Sequence, residues 1–367
     1  MTTELPEFPW DLLAGHGARA RAHPDGVINL SVGTPVDPVP PFIRDALASV
    51  ADAPGYPTTH GTPELRKAAV DALRRRHGVL GVKPDAVLPT IGSKELVAWL
   101  PILLGVRPGD TVVIPSLAYP TYEVGVRLAG ATLVRSDSLL ALGPARPAVV
   151  WLNSPSNPTG RVLPAEHLRK VVDWARERDA IVVSDECYLT LGWDAEPVSV
   201  LHPDVCAGRF DGLLAVHSLS KCSSLAGYRA GFVTGDPALV ARLLEIRRHA
   251  GMIVPRPVQA AMTAALSDDD HVAAQRARFA ARRTLLQEAL QNAGFRIDHS
   301  EAGLYLWATR GEDAWSTIAW LADRGILAAP GTFYGPSGSR HIRVALTESD
   351  TRVAEVAARL TGPPLRN

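Results

Sequence analysis

The 367-residue sequence has little cysteine, no excess of either charge and no long hydrophobic run. Its three cysteines form no CxxC pair, which argues against a disulfide framework or a structural zinc site and favours a reducing compartment. Basic and acidic residues both number 38, so the basic surplus typical of nucleic-acid-binding proteins is missing. The longest apolar run, Leu96 to Val106, falls short of the ~20 residues that cross a bilayer. We therefore expect neither nucleic-acid nor membrane partners.

Several well-known signals are also missing. The first ten residues lack the basic and apolar regions of a signal peptide, so we expect a cytoplasmic protein. HExxH and GxSxG do not occur, which argues against zinc peptidases and the common serine hydrolases. The absence of GxGxxG and of GxxxxGK[ST] disfavours a dehydrogenase and a P-loop enzyme. No cluster of His and carboxylate residues has the spacing of metal ligands, so no metal is expected.

Short β-branched runs alternate with amphipathic stretches in the middle of the chain. The runs DTVVIPS, PAVVWLN, AIVVSD, GLLAVHS and RAGFVTG are apolar without alternation, as strands of a parallel sheet are when both faces are buried. Between two of them, residues 164–178 carry apolar positions three and four apart, which predicts a helix. This alternation predicts an α/β fold with a mostly parallel sheet between helices.

The pattern changes after residue 250. Residues 268–292 predict one long helix, and FRID, GLYLWAT and HIRVAL predict short strands separated by helices. We expect an N-terminal segment at 1–41 that joins a small domain, a large domain at 42–250, and a small α+β domain at 251–367. The small domain would thus be built from both termini.

Lys221 stands in the segment SLSKCSSLAGYRAG, just after an apolar strand. Desolvation and a nearby cation would lower the pKa of such a lysine and make it a nucleophilic amine. Ser218, Ser220 and Arg229 add donors suited to a phosphate. A solvated loop with a chance lysine explains this segment alone about equally well.

Two further polar groups end predicted parallel strands, where ligands of open α/β sheets bind. Asn157 follows the strand PAVVWLN, although Asn and Pro also favour simple turns. Asp185 ends the strand in IVVSDECY, where it suits a helix cap, a metal ligand or a partner of a cationic ring. Gly92, Ser93 and Lys94 precede an apolar helix, whose N-terminus can bind an anion.

Taken in order, the motifs GSKE, YPTY, NSPSNPTG, SDECY, SLSK and GYRAG resemble those of the class I and II aminotransferases, pyridoxal-phosphate enzymes of fold type I. The resemblance extends from residue 31 to residue 346. It implies a large domain that binds pyridoxal 5'-phosphate, and a ping-pong reaction that moves an amino group between amino-acid and 2-oxo-acid substrates.

The resemblance also implies a role for each matching residue. Lys221 corresponds to the lysine that holds the cofactor and then moves the Cα proton of the substrate. Asp185 corresponds to the carboxylate that pairs with the pyridine nitrogen, and Tyr188 joins these two as a catalytic residue. Tyr188 and Asn157 correspond to the pair that hydrogen-bonds the phenolic oxygen of the ring.

The remaining positions concern the phosphate, the ring face and the substrate. Tyr119 corresponds to the aromatic residue that stacks on the ring, and Arg343 to the arginine that binds the substrate α-carboxylate, with Gly33 and Asn153 beside it. Tyr56 resembles a tyrosine that reaches the neighbouring subunit's phosphate, which implies a homodimer with shared active sites. The expected cofactor-binding set is Gly92, Ser93, Lys94, Tyr119, Asn157, Asp185, Tyr188, Ser218, Lys221, Arg229 and Tyr56.

A narrower resemblance concerns FPWDLL, HPDGVINLSVGTPVDPVP, PGYPTTHGTPELR and GTFYGP, which look like segments of the actinobacterial N-succinyldiaminopimelate aminotransferases. It implies transfer from N-succinyl-LL-2,6-diaminopimelate to 2-oxoglutarate, a step of diaminopimelate and lysine synthesis. Arg248, Arg256 and His60 are candidates for binding the distal carboxylate. The alternatives are an aspartate- or kynurenine-type aminotransferase and a carbon–sulfur β-lyase of the same fold. A transcription regulator would need a further DNA-binding segment.

Overall fold

Seven strands form the largest of three sheets in the computed structural model, which describes residues 5–362. Its strand order is β2-β8-β7-β6-β5-β3-β4. The strands of the chain are β1 (Ile28–Asn29), β2 (Val87–Ile91), β3 (Thr111–Ile114), β4 (Thr132–Arg135), β5 (Val149–Asn153), β6 (Ile181–Asp185), β7 (Leu213–Ser218), β8 (Ala230–Gly235), β9 (Arg296–Asp298), β10 (Tyr305–Thr309), β11 (Ile326–Leu327), β12 (Ala329–Pro330) and β13 (Ile342–Ala345).

The central strands of this sheet are parallel, which confirms the predicted fold class. The run RAGFVTG is different, because β8 is antiparallel to both of its neighbours, β7 and β2. No crossover helix separates β7 from β8, and a chain that returns through a short loop pairs in the antiparallel sense.

Helices cover both faces of the large sheet. Along β5, Val150 and Leu152 belong to one apolar cluster, whereas Val149 and Trp151 belong to another on the opposite face. The α-helices are α1 (Ala14–Arg21), α2 (Pro41–Ala48), α3 (Pro63–His77), α4 (Gly92–Leu103), α5 (Thr121–Leu128), α6 (Leu139–Leu142), α7 (Ala165–Arg176), α8 (Pro203–Cys206), α9 (Pro237–His249), α10 (Arg256–Ser267), α11 (Asp270–Asn292), α12 (Ala314–Ala322) and α13 (Asp350–Thr361). None of the helices within residues 5–362 has the length and apolar character needed to cross a membrane.

The helix predicted at 164–178 is α7, and its apolar stripe, Leu168, Val171, Val172 and Ala175, is buried as expected. The long helix predicted at 268–292 is α11. The agreement at α7 arises because an apolar stripe at helical spacing must be covered by a neighbouring element. Helix α11 instead is rich in Ala and Arg, which are strong helix formers, and its buried face includes Gln275 and Arg282.

A second sheet has the order β12-β13-β10-β9 and is antiparallel throughout. The N-terminal strand β1 pairs in parallel with β11, so this segment lies against the C-terminal part of the chain. Helix α10 packs against α2 and α3 and contributes to the same apolar cluster as α7. The domain boundaries at residues 41 and 250 stay predictions. Although α10 follows residue 250, it packs with the helices that cover the large sheet.

Candidate active site

Three neighbouring strands of the large sheet end in polar residues. Asn153 is the last residue of β5, Asp185 of β6 and Ser218 of β7. Because these strands are parallel, the three residues share the carboxyl edge of the sheet. The loops that follow carry Asn157 and Lys221 to the same edge.

Asp185 is buried, and two donors hold its carboxylate. The Tyr122 hydroxyl donates to Oδ2 at 2.8 Å, and the Cys187 amide donates to Oδ1 at 3.2 Å. Burial raises the pKa of Asp185 because its ionised form is poorly solvated, although these hydrogen bonds oppose the rise. A cationic partner would favour the ionised carboxylate. Tyr122 was missed by sequence reasoning, which assigned a role only to the first tyrosine of YPTY.

Lys221 lies in the loop after β7, and its amine donates to the carbonyl of Gly33. Burial lowers the pKa of Lys221; Tyr305 and Cys187 oppose this shift, and the positive charges of Arg343 and Arg229 add to it. Burial and these positive charges favour the neutral amine, which is the nucleophilic form. The predicted environment of Lys221, desolvated and close to cations, is therefore present.

Tyr305 is a site residue that the sequence analysis missed. It opens β10 of the second sheet, and its hydroxyl lies 3.1 Å from that of Tyr188. A Cβ placed on Gly33 would lie 2.2 Å from the Tyr305 hydroxyl, so only glycine fits there. The signal in the sequence was weak, because GLYLWAT predicts a strand without saying which side chain faces a site.

Arg343 on β13 is fully buried without a carboxylate partner among the described residues. Its guanidinium donates to the side-chain oxygen of Asn157 at 2.9 Å and to the carbonyl of Ser31 at 2.7 Å. The guanidinium carbon lies 3.9 Å from the ring centre of Tyr305, and Nε has no hydrogen-bond partner in the described part of the chain. A buried cation held only by neutral groups is suited to a carboxylate ligand.

Asn153 and Asn157 are close together but differ in what their side chains can offer. Asn153 donates both amide hydrogens to carbonyls, of Pro155 at 3.1 Å and of Asp185 at 2.9 Å. Its oxygen accepts from the Asn157 amide at 2.7 Å. Both amide hydrogens and the oxygen of the Asn153 side chain are thus engaged within the chain, and its place beside the substrate carboxylate stays a prediction.

Two cations meet at the start of α4. Gly92 has φ +69°, and a Cβ there would lie 2.2 Å from Nη2 of Arg229. Burial lowers the pKa of Lys94, and so does the nearby charge of Arg229. Within residues 5–362 neither cation has a carboxylate within salt-bridge distance, although Lys94 lies over the ring of Phe8. Two unneutralised cations beside a helix N-terminus, which begins with Gly92 and Ser93, are suited to a phosphate.

The other expected residues occupy different settings. The ring of Tyr119 meets Tyr122 edge-on at 5.8 Å, and burial raises its pKa to about 12. The Ser218 hydroxyl accepts from the Ser220 amide at 3.1 Å, beside the Lys221 loop. Tyr56 is 101% exposed, so it makes no contribution to the site of its own chain.

The candidates for a distal carboxylate are engaged elsewhere. His60 lies 3.2 Å from the carbonyl of Asp85, and Arg248 pairs with Glu245 on the same helix at 3.7 Å. Arg256 is exposed at the start of α10. These positions offer no converging set of donors within one chain.

The arrangement fits pyridoxal phosphate in three respects. The unneutralised pair of Lys94 and Arg229 fits the phosphate, and the buried Asp185 fits a cationic ring nitrogen. The desolvated amine of Lys221 fits an aldehyde. The described residues contain no group of three or more His, Cys, Asp and Glu side chains that could hold a metal ion.

The family model for aminotransferase class I and II matches residues 25–360. The chain belongs to this family. It is 64% identical to a probable aminotransferase of Mycobacterium tuberculosis, over 98% of this chain and 86% of the relative. Identity to the 4-dedimethylamino-4-oxo-anhydrotetracycline transaminase of Streptomyces rimosus is 61%, over 98% of this chain and 99% of the relative.

More distant relatives share the fold. An LL-diaminopimelate aminotransferase of Gloeobacter violaceus is 34% identical over 93% of this chain and 91% of its own length. The solved structure of aminotransferase AspB from Helicobacter pylori superposes with a TM-score of 0.88 at 26% identity, covering 98% of this chain and 99% of that one. The chain is accordingly a pyridoxal-phosphate-dependent aminotransferase of fold type I. Enzymes of this family act on amino and keto acids and are typically dimeric.

Proposed function

We propose that Lys221, Asp185 and Arg343 carry the aminotransferase reaction, and that the amino donor is N-succinyl-LL-2,6-diaminopimelate. The observation that supports the site most directly is the convergence of a desolvated lysine, a buried aspartate and a buried arginine without a carboxylate partner. Burial of an ionised group costs several kcal/mol unless an opposite charge compensates it. Bound cofactor and substrate would supply the missing opposite charges for Asp185 and Arg343.

Lys221 is the proposed proton carrier. The cofactor, when bound, supplies an aldehyde and an electron-accepting ring. The neutral amine at Nζ, favoured by burial, can take the substrate Cα proton and return it elsewhere. Its contact with the Gly33 carbonyl holds the amine at the junction of the large sheet and the N-terminal segment. Tyr188 and Asn157 are proposed to bind the phenolic oxygen of the ring.

Asp185 and the phosphate residues are proposed to orient the cofactor. Hydrogen bonds from Tyr122 and Cys187 fix the Asp185 carboxylate, so its charge can hold a proton on the ring nitrogen. The proposed phosphate set is Gly92, Ser93, Lys94, Ser218 and Arg229, with Tyr119 against the ring and Tyr56 from a second subunit. The full exposure of Tyr56 supports this last assignment.

Arg343 is proposed to bind the substrate α-carboxylate. Its unpartnered Nε and the two donors now bound to neutral acceptors suit a bidentate carboxylate. Gly33 would lie beside that carboxylate. Amino donor and 2-oxoglutarate would use the same arginine in turn, as a ping-pong reaction requires.

The choice of donor is supported by the sequence resemblance to succinyldiaminopimelate aminotransferases and by the 34% identity to an enzyme named for LL-diaminopimelate. The test is the near-ultraviolet and visible absorption of the holoenzyme, before and after addition of N-succinyl-LL-2,6-diaminopimelate without an acceptor. Conversion of the cofactor band to that of the amine form supports the proposal. If the band is unchanged by this donor but changes with aspartate or kynurenine, the proposed donor is wrong and the aminotransferase reaction stands.

A second candidate substrate follows from the 61% identity to the tetracycline transaminase. Its name specifies a 4-oxo-anhydrotetracycline, which would here replace 2-oxoglutarate as amino acceptor. After conversion to the amine form, the enzyme can be offered either acceptor alone. Return of the original band only with the tetracycline ketone would favour this second candidate.

A lyase shares every residue discussed so far. Release of pyruvate and ammonia from cystathionine without any oxo-acid would favour it.

We also propose a homodimer with shared active sites. A cytoplasmic location is proposed as well, in keeping with the free thiols at Cys187, Cys206 and Cys222.

A further inference from the structure

Two carboxylates stand together at the end of β6, and the proposed reaction uses only Asp185. The second, Glu186, lies on the opposite side of the strand, because successive side chains of a strand alternate. The Glu186 amide donates to the carbonyl of Val216 at 2.9 Å, and this contact continues the β6–β7 pairing by one residue. Its neighbour across the pair is His217, which precedes Ser218.

Glu186 and His217 face each other without a direct hydrogen bond. Oε2 of Glu186 and Nε2 of His217 are 3.7 Å apart, and neither atom has a hydrogen-bond partner within residues 5–362. Their side chains are 0% and 8% exposed. Buried polar atoms without partners are rare, so this pair needs an explanation. The other Glu186 oxygen is satisfied, since it accepts from the Val200 amide at 2.7 Å.

A cavity of about 40 Å³ adjoins both residues. A water molecule requires roughly 10–15 Å³ of such space and at least two polar partners. Both conditions hold, and atoms 3.7 Å apart can each lie within hydrogen-bond distance of one water. The cavity shares Arg76, His77, Leu189 and Thr190 with a wider surface cleft, through which water and protons can enter.

The charged and titratable groups around the pair come from four elements. Helix α3 contributes Arg76 and His77, and β6 contributes Asp185. The loop after β6 contributes Cys187, and the loop after β7 contributes Cys222. Burial raises the pKa of Glu186 to about 7, and the Asp185 charge adds to the rise. Burial lowers the pKa of His217 to about 3, with a contribution from His77.

We propose that Glu186 and His217, bridged by a water molecule in this cavity, form a positioning pair that keeps the Glu186 carboxyl protonated behind Asp185. Below about pH 7, Asp185 is then the one ionised carboxylate at this strand end, and its charge acts on the cofactor without a second anion beside it. The pair also ties the end of β6 to the end of β7, and thereby Asp185 to the Lys221 loop. This role for the reaction rests on the proposed function of Asp185, whereas the protonation of Glu186 does not.

The first experiment titrates the full cofactor-free chain by infrared difference spectroscopy between about pH 5 and 9. We expect a signal of a protonated carboxylic acid that disappears near pH 7 and is absent from Glu186→Gln. Glu196→Gln is the matched control, because Glu196 is exposed and lines the outer cleft. Retention of the same signal in Glu186→Gln, or its absence from the wild type, would overturn the proposal.

The second experiment measures Tm against pH for the same three proteins. An acid whose pKa is raised on folding stabilises the protein below its unfolded pKa of about 4.5, and this stability is lost as pH rises through the folded pKa. The Tm of Glu186→Gln minus that of the wild type should therefore increase between about pH 4.5 and 7. A constant difference would contradict the titration.

The third experiment concerns the partner and the reaction. His217→Asn should shift the pH midpoint of the infrared titration, and an unchanged midpoint would show that His217 does not belong to the pair. In the holoenzyme, the pH profile of kcat/KM should contain a step near pH 7 that Glu186→Gln lacks and Glu196→Gln keeps. If the infrared titration is present but the profiles of all three enzymes coincide, the pair does not act on the reaction. If no amino transfer occurs at all, the proposed function fails and the infrared result still stands.

Discussion

The two larger sheets contribute to the candidate site in different ways. The large sheet presents residues at its strand ends, Asp185 as the last residue of β6 and Lys221 in the loop after β7. The second sheet presents residues within its strands, because Arg343 on β13 is paired with Trp307 on β10, two residues from Tyr305. Tyr305 and Arg343 are thus diagonal neighbours on one face. The position of a strand-end residue depends on a local motif, whereas that of a face residue depends on register.

This difference separates the expected roles. The strand-end residues are proposed to hold the cofactor and move the proton, and the face residues to bind substrate. Substitutions in the large sheet should therefore reduce kcat, and substitutions in the second sheet should mainly raise KM.

The largest effect is expected at Lys221. Lys221→Ala removes the proposed proton carrier, so turnover should fall by at least about 10²–10⁴-fold, the usual contribution of a positioned general base. Steady-state kinetics and the cofactor absorption band measure the loss. Lys67→Ala, on an exposed lysine paired with Asp71, should remain active. Full activity in Lys221→Ala would eliminate the proposed site.

Asp185→Asn should keep the cofactor bound but reduce kcat severely, on the order of 10²-fold or more, since a neutral amide cannot hold the ring proton by charge. Single-turnover kinetics of the half-reaction measure this step directly. Asp211→Asn serves as the control, because Asp211 is exposed beside Arg209. Wild-type rates in Asp185→Asn would mean that the pairing is wrong.

Arg343→Ala should raise KM for every amino donor, by about 2–5 kcal/mol of lost binding for a buried charge-assisted contact. Arg343→Lys keeps the charge but loses the planar fork, so it should recover only part of the affinity. Arg296→Ala, at an exposed pair with Asp298, should leave KM unchanged. A fall in kcat with constant KM would contradict the expectation that the second sheet binds substrate and the large sheet carries the chemistry.

The smallest effect is expected at Tyr305. Tyr305→Phe removes the hydroxyl that meets Tyr188 but keeps the ring under Arg343, so we expect a loss of about 0.5–1.5 kcal/mol, or about two- to thirteen-fold in kcat/KM. Tyr228→Phe, at a half-buried tyrosine that packs against the apolar cluster of the large sheet and has no assigned role, is the matched control. An effect as large as that of Lys221→Ala would give the second sheet a direct part in the chemistry.

Much of the fold followed from local patterns. Five of the seven strands of the large sheet, β3 and β5 to β8, and the buried stripe of α7 were predicted, because each depends on apolar residues within one segment. The sequence analysis did not predict β2 and β4. The extent of α11 was predicted from its richness in Ala and Arg. The direction of β8 was not, since apolar runs are alike in parallel and antiparallel strands that are buried on both faces.

The candidate site shows the same division. Residues in motifs, such as Lys221, Asp185 and Asn157, could be named in advance. The sequence could not reveal the contacts of Tyr122 with Asp185, of Tyr305 with Tyr188, or of Asn153 with the Asp185 carbonyl. Each depends on which hydroxyl or carbonyl the fold brings within hydrogen-bond distance.

The amino-acid sequence by itself determined the family, the order of the motifs and the kind of chemistry their residues can perform. Only the tertiary structure decided that the Arg343 guanidinium packs over the ring of Tyr305 and that the Lys221 amine donates to the Gly33 carbonyl. It also decided that Glu186 faces His217 beside a cavity. The physical reason is the range of the interactions. Turn chemistry and helix termini depend on adjacent residues, whereas register, burial and the pKa shifts caused by burial depend on packing between segments that are far apart in the chain.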